Sequence, residues 1–163
     1  MATVFDNTEY QIVNLLHSVT RYLFHGRRTD TGDWVEGYYS TKVYSEGTIE
    51  EYWAHIIKDI KTGIEYEVHE NTVSIYLDID DHNGNKVFLH DIVLINPISK
   101  EAGIIYYDTN EKAIFIWLDS GYSVRFRLTG LPLFKVGSAH DLNDEQIEQV
   151  KLGKKKFIEL FKI

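Results

Sequence analysis

From Asp91 onward, apolar residues arrive in short runs with a strand-like beat. The runs are DIVLI (91–95), GIIYYD (103–108), AIFIWL (113–118), SVRFRL (123–128) and LFKVG (133–137). Asn96-Pro97, Asp108-Thr109-Asn110, Asp119-Ser120-Gly121 and Thr129-Gly130 separate them. Runs this short, spaced by turn-forming residues, predict a small β-barrel or sandwich rather than helices. Alternation within SVRFRL points Val124, Phe126 and Leu128 inward and leaves Arg125 and Arg127 on the outer face. Just upstream, Thr72 to Val93 reads as a strand, a polar turn on Asn83-Gly84 and a return into Asp91-Ile92-Val93, because Asn-Gly supplies the left-handed dihedrals of a tight hairpin.

The first half is less regular. Tyr22 to Phe24 reads as a strand end, Thr29 to Asp33 as a turn, and Trp34 to Tyr39 as a second strand. Gly37 within that strand predicts a bulge or a close backbone approach. In IEEYWAHIIKDI (49–60), Ile49, Trp53, Ile56, Ile57 and Ile60 fit a helical stripe, while a strand over 52–58 fits almost as well. Lys61-Thr62-Gly63 is a turn, and the alternation of Ile64, Tyr66 and Val68 with Glu65 and Glu67 is that of a half-exposed strand. Both ends look helical. Residues 8–20 carry Ile12, Leu15, Leu16 and Val19 behind a cap at Thr8 or Asn7. The tail opens on Asn143 or Asp144 as N-cap and places Ile147, Val150, Phe157, Ile158 and Phe161 on one stripe, which Gly153 breaks.

Composition narrows the classes of function. The 163 residues are 44% apolar and 26% charged, a globular balance with enough chain for an ordinary core. The absence of Cys excludes disulfides and thiolate metal sites. No signal peptide is read in MATVFDNTEY and no apolar run approaches the length of a membrane helix, so the expected location is the cytoplasm, without membrane association. A net charge of −8 disfavours nucleic-acid binding unless cations are segregated onto one face.

Candidate chemistry is sparse. Asp78-Ile79-Asp80-Asp81-His82-Asn83-Gly84 invites a calcium-loop reading, but counting from Asp78 puts Asn83 where Gly belongs and Leu89 where the closing Glu belongs. An exposed acidic hairpin fits better. Seven His are scattered without metal-ligand spacing, and neither a nucleophile motif nor a phosphate-cradling glycine loop occurs. No catalytic residue, metal site or cofactor is therefore expected. The pairs Arg27-Arg28 and the run Lys154-Lys155-Lys156 read as cations matched by acidic neighbours. Trp117 with Arg125 and Arg127 is the more informative group: a hairpin of 113–118 and 123–128 can bring an aromatic ring and two guanidiniums onto one face. Burial of Trp117 in the core is the competing reading.

Three segments together resemble the YopX family of small phage and prophage proteins. They are FHGRRTDTGDWVEGYY (24–39); the central pattern of Thr72, Val73, Tyr76, Asp81, Asn83, Gly84, Asp91, Ile92 and Val93; and Phe134-Lys135-Val136-Gly137, with Gly103-Ile104-Ile105 between. The resemblance covers about residues 21–140. It implies a mainly β fold with an SH3-like partial barrel over 91–138, a strand rather than a helix over 52–58, and architectural roles for Trp34, Gly37, Asn83, Gly84, Asp91 and Gly103. Terminal helical segments would then occupy 1–20 and 141–163. Two departures stand out. The family's threonine-glycine-leucine after the tyrosine is here Leu77-Asp78-Ile79, and its glutamate-glycine before the Asp-Ile-Val is here Leu89-His90. The resemblance implies no enzymatic activity. The resulting expectation is a phage accessory protein that binds another macromolecule, foremost a protein such as a host factor, with its terminal helices serving partner contacts or self-association. Nucleic-acid binding through the basic-aromatic face is the alternative.

Overall fold

The computed structural model describes residues 22–126 and 132–162. The helix expected over 8–20, and with it the N-terminal segment 1–20, lies outside the described residues, as do Arg127 and Leu128. The fold is mainly β, and the chain forms two compact units that divide between Tyr76 and Leu77. The β region expected over 21–140 thus spans both units.

The first unit is an antiparallel sheet of β1 (Leu23–Arg27), β2 (Trp34–Tyr44), β3 (Tyr52–Asp59), β4 (Glu65–Val68) and the start of β5 (Ser74–Asp80), in the order β4-β3-β2-β1-β5. Residues 52–59 are a strand because only that conformation lets Tyr52–Asp59 pair residue for residue with Tyr44–Gly37. The rival helical stripe fails on burial: Ile57 is fully buried, whereas Ile49 is fully exposed and Trp53 is 62% exposed. Phe24, Val35, Ile57, Val68 and Val73 make the core, with Tyr39, Tyr66 and Ile75 packed against it. Gly37 marks a close approach and not a bulge. Its register is unbroken on both sides, and a Cβ there would run into the Lys58 carbonyl.

The second unit takes in the rest of β5, then β6 (Lys86–Phe88), β7 (Asp91–Asn96), β8 (Glu101–Asp108), β9 (Ala113–Leu118), β10 (Ser123–Arg125), β11 (Phe134–Ser138), α1 (Asp144–Lys151) and α2 (Phe157–Leu160). Strand order β10-β9-β8-β7-β11 is a meander whose last strand returns beside β7. Short turns make neighbours in sequence neighbours in the sheet. The turns are closed as their residue types foretell: the Asn96 carboxamide accepts the N–H of Ile98 and Ser99, and the Asp108 carboxylate those of Asn110 and Glu111. Gly103 lets β8 approach β9, since a Cβ there would sit 2.5 Å from the Trp117 carbonyl oxygen.

Helix α1 starts at Asn143, which exchanges side-chain and backbone hydrogen bonds with Gln146, and stops where Gly153 turns left-handed at φ +67°. The apolar stripe of the tail is occupied within its own unit. Ile147, Val150, Phe157 and Ile158 pack on Ile92, Ala102 and Ile104 of the sheet, so these helices complete a core. No helix among the described residues is long and apolar enough to cross a membrane.

The central turn is built differently from the exposed acidic hairpin expected of it. Gly84 does take the left-handed conformation at φ +81°, but Asp81 is only 6% exposed. One carboxylate oxygen accepts the N–H of Asn83 and Asn85, and the other accepts the Asn85 side chain and the Lys135 N–H of β11, at 2.8–3.1 Å. The sequence placed a turn here correctly and missed that its first residue is a buried anchor.

Candidate functional site

The hairpin of β9 and β10 does bring an aromatic-cationic group together, with a different ring from the one expected. Register places Arg125 opposite Phe115 and Ser123 opposite Trp117, and on the other side Tyr106 opposite Phe115. Directly opposed residues share a face, so Tyr106, Phe115, Trp117, Ser123 and Arg125 lie together. The Arg125 guanidinium sits 5.5 Å over the Phe115 ring, which stacks on Tyr106 at 6.0 Å, and the Tyr106 hydroxyl reaches Ser123 Oγ at 3.1 Å. Trp117 lies half-buried at the covered end of this face, with its ring edge-on to Phe157 of α2 at 5.8 Å. It is largely a core residue. Glu111 stands 3.6 Å from Arg125, with both side chains more than half exposed, so the cation of this face is already partly matched. Arg127, the second guanidinium expected here, lies outside the described residues.

Of the other basic clusters, Arg27-Arg28 is engaged locally. Arg28 grips Asp30 with two hydrogen bonds at 2.7 and 2.9 Å and lies 3.9 Å over the Tyr66 ring; Arg27 donates to the Gly32 carbonyl and lies over Trp34. The hydrogen bonds from Arg28 hold the Asp30 carboxyl below its ordinary range.

A more exposed surface lies in the first unit, on the far half of the β2–β3 hairpin. Pairing of β1 with β2 ends at Tyr38, and pairing of β4 with β3 ends at His55, yet β2 and β3 remain paired to Tyr44–Tyr52. Beyond those points the hairpin is a two-stranded ribbon. Tyr44 and Tyr52 stack across one face at 5.2 Å between ring centroids. Trp53 opposes Val43 on the other face, and Ile49 stands at the apex. Tyr44 is 41% exposed, Tyr52 49%, Trp53 62% and Ile49 completely so. The connecting loop has a defined shape. Ser45 and Gly47 adopt positive φ, Glu51 Oε2 accepts the Gly47 N–H at 2.7 Å, and Thr48 bonds the Ser45 carbonyl through both its N–H and its hydroxyl.

Sequence reasoning missed this surface. The signal was the pairing of Val43-Tyr44 with Tyr52-Trp53 across a Gly-containing polar stretch, a hairpin pattern hidden by the helical spacing of Ile49, Trp53 and Ile56.

The strongest electrostatic perturbation is internal. Asp91 begins β7 with its side chain fully buried; its Oδ2 accepts the Phe88 N–H at 2.8 Å and meets Lys135 Nζ at 2.8 Å, and its Oδ1 has no hydrogen-bond partner. Burial pushes the carboxyl up, Lys135 and the Phe88 N–H oppose it, and the balance leaves its pKa at about 6. The two side chains meet because Lys135 stands opposite Val93, which shares a face with Asp91, so the long Lys135 side chain reaches the carboxylate diagonally; past Lys135 the partners shift by one residue. Beside them, the buried His90 ring meets His140 edge-on at 5.3 Å, and the His90 backbone is left-handed at φ +68°. Asp91 thus caps the start of this strand with its side chain, and it makes an ion pair that the sequence did not disclose. Among the described residues no set of three His, Asp or Glu side chains converges as metal ligands.

No family model, no curated protein and no solved structure matches the chain.

Proposed function

We propose that this chain is a non-enzymatic accessory protein that acts by binding another protein, and that its binding element is the β2–β3 ribbon. The observation carrying this reading is the exposure of four large apolar side chains at one end of a hairpin: Tyr44 and Tyr52 on one face, Trp53 on the other and Ile49 at the apex. Large exposed apolar side chains gathered on one element mark interaction sites, and Trp and Tyr are the residues that most often dominate binding energy. A loop already fixed by its own hydrogen bonds loses little entropy on docking. The enclosure of Asp91 supports the non-enzymatic part, because the most perturbed carboxylate is shut away from any substrate and holds a strand start.

Within this reading the protein belongs with the YopX-like phage and prophage proteins, works in the host bacterial cytoplasm, and has β7–β11 as its SH3-like part. Backbone geometry at the two departures supports that kinship. Asp78 and His90 stand where the family has glycine, and both adopt left-handed φ, +59° and +68°. Few L-residues occupy that region, and glycine does so at no steric cost.

The test is capture of bacterial lysate proteins by the tagged chain, identified by mass spectrometry, in parallel with an Ile49→Ala/Trp53→Ala variant. A partner retained by the native chain and lost by the variant is the expected result. Identical captured sets would overturn the assignment to the ribbon. Nucleic-acid binding through Arg125, Phe115 and Tyr106 is the second reading, favoured by that stacked cationic face. It predicts binding of single-stranded oligonucleotides that weakens steeply with salt and is lost in Arg125→Ala.

A further inference from the structure

Resting on the ribbon as the binding element, we infer that its partner is a protein surface or peptide rich in Lys and Arg. The segment that carries the exposed apolar side chains holds charge of one sign. Between Val43 and Trp53 the chain carries Glu46, Glu50 and Glu51 and no Lys, Arg or His. All three glutamates are exposed. The nearest cation, Lys42, is already paired with Glu65 of β4. Glu51 closes the loop through the Gly47 N–H, which leaves Glu46 and Glu50 as the carboxylates available to a visitor.

The rings point to the same chemistry. Tyr and Trp faces attract guanidinium and ammonium groups, and a cation resting on Trp53 or on the Tyr44–Tyr52 pair would lie on this acidic segment. Two other occupants fit poorly. Nucleic acid would bring phosphates against carboxylates with no cation between. A second copy would bring the same acidic segment, on a chain of net charge −8, against itself.

The experiment is selection from a display library of random linear peptides against the full chain, with Ile49→Ala/Trp53→Ala and Glu46→Gln/Glu50→Gln variants panned in parallel. All four positions are exposed, and matching thermal unfolding curves confirm that the variants fold. The expected result is a set of peptides recovered only when Ile49 and Trp53 are intact and enriched in Lys and Arg over the input. Their affinity should fall roughly threefold to tenfold in the glutamine variant, as loss of two exposed ion pairs implies. It should also weaken as ionic strength rises from about 0.05 to about 0.5 M. Ribbon-dependent peptides that are neutral or acidic would overturn the cationic partner and leave the ribbon standing. Absence of any ribbon-dependent peptide would overturn both. A native chain that sediments as a dimer, and as a monomer in the Ile49→Ala/Trp53→Ala variant, would assign the surface to a second copy and overturn the inference as well.

Discussion

Replacing Asp91 by Asn tests the reading of the buried ion pair most directly. The carboxyl rises from an ordinary 3.8 to about 6 on folding. At about 1.4 kcal/mol per tenfold change in proton affinity, that rise amounts to about 3 kcal/mol by which folding disfavours the charged form. The sign follows from proton counts. Between roughly pH 4 and 6 the folded protein keeps a proton that the unfolded chain has released, so this group's contribution falls as pH rises through that window and stays at its minimum above it. Asn has no such transition. Its carbonyl oxygen can still accept the Phe88 N–H, and Lys135, whose side chain is 25% exposed, keeps its bond to the Lys86 carbonyl. The new amide N–H₂ occupies the place of Oδ1, which has no hydrogen-bond partner, and forfeits about 1–3 kcal/mol there. At pH 7 the variant should therefore equal or exceed the native protein in stability, by at most about 2 kcal/mol. The assay is urea unfolding of both proteins at pH 4 to 8, reading the difference in unfolding free energy so that titrating groups uncoupled from Asp91 cancel. That difference should climb by about 2.5 kcal/mol in favour of Asn between pH 4 and 7. A difference independent of pH, or one that moves towards Asp as pH rises, would refute the reasoning.

Three further expectations follow from the backbone and the turns. Asp78→Gly, at an exposed left-handed position, should raise stability by roughly 0.5 kcal/mol, where glycine in an ordinary strand would lower it; calorimetric melting decides. Gly37→Ala and Gly103→Ala drive a Cβ into the Lys58 and Trp117 carbonyls and should cost several kcal/mol or prevent folding, whereas Gly84→Ala, open but left-handed, should cost about 1–2 kcal/mol by chemical denaturation. Asp81→Ala orphans the N–H groups of Asn83, Asn85 and Lys135 and should cost about 2–4 kcal/mol near neutrality. Burial pushes the Asp81 carboxyl up, but the N–H groups of Lys135, Asn85 and Asn83 outweigh it and hold it below its ordinary value. Its contribution is therefore present above the ordinary carboxylate range and lost as pH falls through the lowered one, so native and variant unfolding free energies should converge in acid.

The sequence by itself determined most of the elements. The short apolar run of Ala113–Leu118 between turn signals, turn chemistry at Asn96, Asp108 and Gly84, and the cap-plus-stripe of the tail are local properties, and local dihedral preference carries through to the fold. Sequence alone also excluded disulfide and thiolate chemistry and set the acidic balance. It left residues 52–58 open between helix and strand, because the spacing of Ile49, Trp53 and Ile56 fits both and only pairing with β2 separates them.

What tertiary structure decided is every feature that depends on residues distant in the chain. Lys135 reaches Asp91 because β11 returns beside β7 with Lys135 opposite Val93, on the face that Asp91 shares, and the same strand supplies the N–H that makes Asp81 an anchor. Phe115 and not Trp117 partners Arg125 because the β9–β10 register sets those two opposite each other, while Trp117 faces Ser123 and packs against Phe157 of α2. The ribbon's aromatics stand exposed because β2 and β3 outrun the strands on either side of them, and a strand's length relative to its neighbours is written in no single segment. Periodicity fixes which face a side chain takes. Whether anything covers that face depends on the rest of the chain.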